Sequence, residues 1–299
     1  MVGSSLRAHR PDAVYLSSKQ YDLRDFEQCQ HMFTRYSPDF VIHLAAKVGG
    51  VKANTDLMGE FYRDNITINT NVLEASRLAG IRKVVSLLST CVYPDDVSYP
   101  ITEDQLHLGP PHGSNFGYAY AKRMLDVQTQ AYRQQYGCNY ICAIPNNLYG
   151  EKDNFDLDNG HVIPALIRKV YEAKMSGANS FKVWGDGSPL REFTYADDIA
   201  KILLFLLENY DSPEPVNIGN VKEYSIKQVV EYICDALNYQ GHITWDTTKP
   251  NGQHKKPTDN NRLLDLGWSS ENYTSLEEGL TKMCEWFTIN YPNVRGVKV

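Results

Sequence analysis

Apolar positions in the first half of the chain follow two alternating patterns. Ala13-Val14-Tyr15-Leu16, Phe40–Leu44, Val84–Leu88 and Tyr140–Ile144 are short continuous runs, the pattern of strands covered on both faces. Between them lie helical stretches at Ile66–Ala79, closed by Gly80, and Tyr118–Tyr136, closed by Gly137. Strand–helix alternation of this spacing predicts an α/β fold with a parallel sheet. The second half predicts helices at Val162–Lys174, Asp197–Glu208, Ile226–Leu237 and Leu276–Tyr291. In the third, Ile226, Val229, Val230, Ile233 and Leu237 share one face and Ser225 is placed to cap it. Gly- and Pro-rich connectors at Trp184–Pro189 and at 249–252 separate these helices and are of the kind that carries sites.

The opening Met1-Val2-Gly3-Ser4-Ser5-Leu6 reads as the end of a glycine-rich turn entering its helix, with Gly3 the one glycine left of such a pattern. No strand precedes it. In a doubly wound sheet that strand would be central, so its neighbours are expected to lose a ladder partner.

Composition narrows the class. Of 299 residues, 42% are hydrophobic and 22% charged, which suits a packed core. The net charge of −6 excludes bulk electrostatic binding of nucleic acid but not a local cationic pocket. Cys29, Cys91, Cys138, Cys142, Cys234 and Cys284 form no C-x-x-C pair, so reduced thiols and no metal site are expected. The longest apolar stretch, within Ile199–Leu207, is too short to span a bilayer, and Met1–Arg10 has no apolar run. A cytoplasmic protein with no membrane partner is the expectation, and the Asn65-Ile66-Thr67 and Asn272-Tyr273-Thr274 glycosylation patterns are then accidental.

Ser89, Tyr118 and Lys122 carry the strongest chemical signal. Tyr118 and Lys122 stand four apart, on one helix face, where an ammonium is expected to lower the phenol pKa. Ser89 closes a strand, where its hydroxyl can hold a substrate carbonyl. Tyr-x-x-x-Lys alone is common in amphipathic helices; its place one helix after a strand ending Ser-Thr-Cys-Val-Tyr-Pro is what raises it. On the cofactor side, Leu16-Ser17-Ser18-Lys19 carries Lys19 where an NAD enzyme ordinarily has an acid, which suits the 2′-phosphate of NADP. Ala45, Ala46 and Lys47 follow the next strand and should line the cleft, while His43 reads as structural.

These motifs resemble the extended short-chain dehydrogenase/reductases acting on nucleotide sugars. Within that family the likeness is to enzymes that convert GDP-4-keto-6-deoxy-D-mannose to GDP-L-fucose with NADPH. It rests on His43–Gly50, Ser89–Pro94, Tyr118–Lys122, Pro145–Gly150, Asp153-Asn154-Phe155, Gly160–Ala165 and Val183-Trp184-Gly185. The resemblance implies a doubly wound, Rossmann-like cofactor domain over residues 1–150 and a smaller α/β substrate domain over 151–299, with part of 191–219 returning to the first. It implies that Cys91 and His161 invert C3 and C5, that Ser89, Tyr118 and Lys122 serve hydride transfer to C4, and that Asp22 and Leu23 meet the adenine. It further places Gly3 and Asn147 with the cofactor, and Lys169, Trp184, Arg191 and Lys256 with the GDP moiety. A homodimer through Phe61–Ala79 and Tyr118–Tyr136 is expected. A related nucleotide-sugar epimerase and a non-catalytic form stay open as alternatives.

Overall fold

The computed structural model describes residues 1–248 and 254–298, so the connector expected at 249–252 lies outside the described residues. In chain order the elements are α1 (Val2–His9), α2 (Phe26–Tyr36), β1 (Phe40–His43), α3 (Val51–Asp56), α4 (Met58–Leu78), β2 (Lys83–Leu87), α5 (Phe116–Tyr136), β3 (Tyr140–Pro145), β4 (Asn147–Tyr149), α6 (Val162–Met175), β5 (Ser180–Trp184), β6 (Leu190–Tyr195), α7 (Ala196–Asn209), β7 (Val216–Ile218), β8 (Glu223–Ser225), α8 (Ile226–Ala236), β9 (His242–Asp246), α9 (Asn261–Asp265) and α10 (Leu276–Asn290).

The main sheet runs β1-β2-β3-β7, all parallel. Every residue of β2 and β3 is buried, and successive side chains go to opposite faces. Val84, Tyr140 and Cys142 pack with Phe33 and Leu73 from α2 and α4. Val85, Leu87, Ile141 and Ala143 pack with Leu6 from α1 and Ile199, Leu203 and Leu206 from α7. Continuous apolar runs are the signature of such a doubly covered sheet, and the predicted α/β class is correct. Helices α4 and α5 end on Gly80 and Gly137, whose φ angles of +68° and +69° suit residues without a Cβ. Among the described residues, no helix is long and apolar enough to cross a membrane.

The strand expected at Ala13–Leu16 does not form. These residues have no regular structure, Val14 is 55% exposed, and the Tyr15 hydroxyl donates to Arg10 O instead (2.9 Å). The physical reason is the ladder: among the described residues β1 bonds to β2 alone, and a run with no neighbour there to pair with gains nothing from extension. Phe40, at the start of this edge strand, is correspondingly exposed.

Beyond β3 the chain builds a second region. Strand β4 pairs parallel with β6, which pairs antiparallel with β8, while β5 pairs parallel with β9. Its core joins α6, α8 and α10 through residues such as Ile167, Ile233, Leu280 and Phe287. Ser225 caps α8 as expected, in a capping box with Gln228. Helix α7 and strand β7 lie against the main sheet, so the chain visits both regions more than once.

His43, at the end of β1, is structural as expected: it is buried, its Nε2 lies 3.0 Å from Asn69 Oδ1, and burial lowers its pKa to about 4. A base lowered from 6.5 leaves the unfolded chain holding more protons between those values, so stability falls as pH falls through that window. Urea unfolding should show a His43 contribution of about 2 kcal/mol lost between pH 7 and 5. His43→Gln should flatten that slope, and an unchanged slope would contradict a buried neutral imidazole.

Candidate active site

The carboxyl ends of β1, β2 and β3 open on one side of the sheet, where open α/β sheets bind ligands. Ser89 lies two residues beyond the end of β2. Its Oγ accepts the Cys91 N–H at 3.5 Å and so caps the 3₁₀ turn Thr90–Val92, which presents the half-buried Cys91 thiol. Burial raises the thiol pKa, while the Ser89 hydroxyl and the charges of Lys256 and Lys122 pull it back down.

Tyr118 and Lys122 reach the same place from α5. Lys122 is 2% exposed and donates to Leu87 O at 2.7 Å, and burial draws its pKa down to about 8. Tyr118 is half-buried with its ring edge-on to Phe61. The expected lowering of the Tyr118 pKa by Lys122 is not found. Burial raises the phenol, Cys91 adds to the rise, and the ammonium is engaged by the carbonyl of Leu87. Among the described residues the Tyr118 hydroxyl has no hydrogen-bond partner.

His161 approaches on the loop between β4 and α6. It occupies the N-cap position of α6 but makes no side-chain capping bond, so its exposed imidazole is not consumed by the helix. The loop is tightly knotted: Asp156 Oδ1 accepts the N–H groups of Asp158 and Asn159, and Gly160 N–H donates to Asp156 O. A Cβ on Gly160 would lie 2.5 Å from the carbonyl oxygens of Asn154 and Asp156, which only glycine permits. Asn159 O in turn accepts the Gly50 N–H (3.1 Å), tying this loop to the turn that follows β1.

The predicted cofactor residues divide. Ala45 and Ala46 line the exit of β1, and Gly3 of α1 packs toward Leu44 there. Lys47 is held by both main-chain groups to the buried Asn65 amide, which also removes Asn65 as a glycosylation site. Its ammonium is paired with Glu60 (2.6 Å) and Asp64 (3.1 Å). Asp22 is bound by the Arg24 guanidinium, which holds its carboxyl near 2, and Arg24 reaches on to Asp64. Leu23 O accepts from Asn71. Lys19 is exposed beyond the irregular segment. Asn147 donates to Glu192 O and thereby links β4 to β6.

The predicted substrate cations form two corners. Lys169 sits over the Trp184 ring (5.6 Å), a ring 61% exposed. Burial lowers both Arg191 and Lys256; the Arg191 charge lowers Lys256 further, Cys91 and Asp95 oppose that, and Lys256 in turn acts on Cys91. Ser89, Cys91, Tyr118, Lys122, Arg191 and Lys256 are thus one electrostatic cluster, with Lys169 and Trp184 farther along β5 and α6.

Residues 4–219 match the NAD dependent epimerase/dehydratase family. The chain is 42% identical to the GDP-L-fucose synthase of Dictyostelium discoideum over 284 residues, covering 94% of this chain and 88% of the relative. It is 40% identical to that of Sinorhizobium fredii (strain NBRC 101917 / NGR234) over 294 residues, covering 97% and 93%. The crystal structure of a GDP-L-fucose synthetase from Naegleria fowleri bound to NADP superposes with a TM-score of 0.93 at 41% identity, covering 98% of this chain and 91% of that one. The chain belongs to the GDP-L-fucose synthase family.

Sequence reasoning gave no role to two buried carboxylates in this member of the GDP-L-fucose synthase family, although Asp153 stands in the Asp153-Asn154-Phe155 segment that carries the resemblance. Asp153 is 5% exposed; its Oδ1 accepts the Asn154 N–H, its Oδ2 has no hydrogen-bond partner among the described residues, and His161 is the strongest charge acting against the rise that burial causes. Glu192, beside Arg191, is raised to about 7 by burial while its hydrogen bonds oppose the rise. The segment names Asp153 without a role, a lone carboxylate in a strand such as Glu192 has no signature, and it is burial that sets both apart.

Because its hydroxyl lacks a protein partner, Tyr118→Phe should leave the thermal midpoint within about 2 °C of the parent, since ~1 kcal/mol corresponds to a few degrees for a chain of this size. A larger loss in a thermal melt would reveal a structural role for the phenol.

Proposed function

We propose that this chain is an NADP-dependent epimerase/reductase that converts GDP-4-keto-6-deoxy-D-mannose to GDP-L-fucose. The observation that carries the reading is the cluster of Cys91, Ser89, Tyr118 and Lys122 at the sheet's carboxyl end in a chain 42% identical to a GDP-L-fucose synthase. The residues present fit NADP. The Tyr118 hydroxyl and two of the three Lys122 N–H groups remain available after the bond to Leu87. Leu16–Lys19 offers a cation and hydroxyls with no acid to repel a 2′-phosphate. When bound, NADPH supplies the hydride that reduces C4.

The chain's own groups do the rest. A C4 ketone acidifies the protons on C3 and C5, and inversion needs one group to remove each proton and another to return it on the opposite face. Cys91 and His161 fill these roles, a thiol and an imidazole each being able to take up and return a proton. Burial keeps Cys91 on the thiol side, while the Ser89 hydroxyl, Lys256 and Lys122 oppose that rise. Ser89 holds the C4 carbonyl. Tyr118 protonates the developing alkoxide; burial, by raising the phenol, keeps it in the protonated form that this step needs. Lys122, anchored on Leu87, bonds the nicotinamide ribose and screens the phenolate left behind. Lys169, Trp184, Arg191 and Lys256 bind the GDP moiety, concentrating positive charge locally on a protein of net charge −6.

The chain divides in this reading into a cofactor unit over residues 1–150 and a substrate unit over 151–299, with α7 and β7 returning to the first. It works in the cytoplasm, where its six unpaired thiols stay reduced. It acts as a homodimer through α4 and α5, which pack on each other and expose Tyr62, Leu78, Phe116, Val127 and Tyr136. Sedimentation should therefore give twice the chain mass, and Val127→Glu should shift it toward one chain.

The reading is tested by NADPH oxidation with GDP-4-keto-6-deoxy-D-mannose and identification of the sugar formed. GDP-L-fucose is the expected product; no oxidation, or another sugar, overturns the substrate assignment. Cys91→Ser should lower deuterium exchange from solvent at C3 and C5 by about 100-fold or more while NADPH affinity stays within about twofold. Equal losses in both would refute the division of labour.

A further inference from the structure

Lys256 lies in no helix or strand, and two pins hold the segment that carries it. At one end, Leu190 N–H donates to His254 O at 2.8 Å. At the other, Glu192 takes hold of Thr258: Oε1 accepts the Thr258 N–H (2.8 Å) and Oε2 its hydroxyl (2.6 Å). The two pins are the residues on either side of Arg191, so the segment runs past that guanidinium with Lys256 midway. The cofactor side holds the same stretch through Ile101, whose N–H donates to Pro257 O and whose carbonyl accepts from Asp259, both at 2.9 Å.

Glu192 is itself over-determined. It is 2% exposed, and Oε2 also accepts from Asn146 Nδ2 at 3.3 Å. The Asn146 amide cannot turn over, because its Oδ1 accepts the Thr194 hydroxyl (2.6 Å), and Thr194 Oγ1 accepts the Asn220 N–H (2.8 Å). Donors and acceptors alternate without conflict from β3 through β6 to Thr258. Asn147 adds a bond from its amide to the Glu192 carbonyl.

Such a clamp has a physical task. Among the described residues, neither Arg191 nor Lys256 has a carboxylate within ion-pair distance; Glu223 and Asp95 act on them from farther off, and the Arg191 charge disfavours that of Lys256. Two neighbouring cations on an unanchored segment would move apart until an anion drew them together, and that ordering would subtract from affinity. Held in place beforehand, they meet a diphosphate without it.

We propose that Glu192 is a positioning residue for nucleoside diphosphate recognition, which through Thr258 pins segment 254–258 so that Lys256 stands beside Arg191 before substrate arrives. This rests on the reading of Lys256 and Arg191 as diphosphate cations. Glu192 touches no substrate in this role; it acts through Thr258.

The test is calorimetric titration of GDP into the NADPH-loaded protein, with NADPH affinity and steady-state kinetics alongside, for Thr258→Val, Thr258→Ser, Glu192→Gln and Lys256→Ala. Loss of the hydroxyl in Thr258→Val should weaken GDP binding by about tenfold and raise KM similarly, with kcat and NADPH affinity within about twofold. Thr258→Ser, which keeps the hydroxyl, should bind GDP within about twofold of the parent. Glu192→Gln should behave as Thr258→Val, because its NH₂ group would face the donors of Thr258 or Asn146. If Lys256→Ala weakens GDP binding but Thr258→Val does not, the clamp is refuted while the role of Lys256 stands. If Lys256→Ala leaves GDP binding unchanged, the reading of Lys256 fails and takes the clamp with it. If Thr258→Val and Thr258→Ser lose GDP and NADPH binding together, the contact merely supports the fold and the proposal is overturned.

Discussion

A buried ammonium bonded to the last carbonyl of β2 is the interaction on which the site depends. Lys122 lies in a place so dry that its pKa falls to about 8, a displacement that costs about 3 kcal/mol relative to water. The bond to Leu87 O offsets part of that cost and fixes α5 against the end of β2. Ser89, two residues beyond Leu87, and Tyr118, one turn before Lys122, are thereby held to a common point. The 3₁₀ turn capped by Ser89 adds Cys91 to the same point. Four reactive groups thus take their relative positions from two short segments and one hydrogen bond.

The rest of the site is assembled around this point by polar groups that have no water to fall back on. Asn65 satisfies both main-chain groups of Lys47, Asn146 and Thr194 satisfy each other, and Glu192 satisfies Thr258. A buried polar group left unpaired costs about 1–3 kcal/mol, so each of these contacts resists displacement. The glycine-dependent knot before His161 serves the opposite side of the cleft in the same way, through Gly50 and Asn159.

Several elements were legible in advance and others were not, for reasons tied to particular residues. Val84–Leu88 and Tyr140–Ile144 read as buried strands because helices cover both faces of the sheet there. Ala13–Leu16 has the same composition and forms no strand, since strand formation requires a neighbour that local sequence does not specify. Helix α2 and the β5–β9 pairing left no clear periodic signal: Cys29 and Phe33 are the only buried side chains of α2, and β9 is nowhere fully buried. The Tyr118–Lys122 spacing identified both residues but misjudged their mutual influence, because burial outweighs a nearby charge when the ammonium is already bonded elsewhere.

Sequence by itself determined the chemistry on offer: the strand–helix alternation, the residue types at 89, 91, 118, 122 and 161, and the cations at 169, 191 and 256. These depend on local pattern and side-chain identity, which the chain carries wherever it folds. Tertiary structure decided which of those groups face one another, which are buried, and what each carboxylate holds. Lys47 lost its ammonium to Glu60 and Asp64, Asp22 lost its carboxylate to Arg24, and Glu192 acquired an importance no motif announces. Desolvation and hydrogen-bond satisfaction are properties of the packed surroundings, assembled from segments as far apart as residues 192 and 258, and no local pattern encodes them.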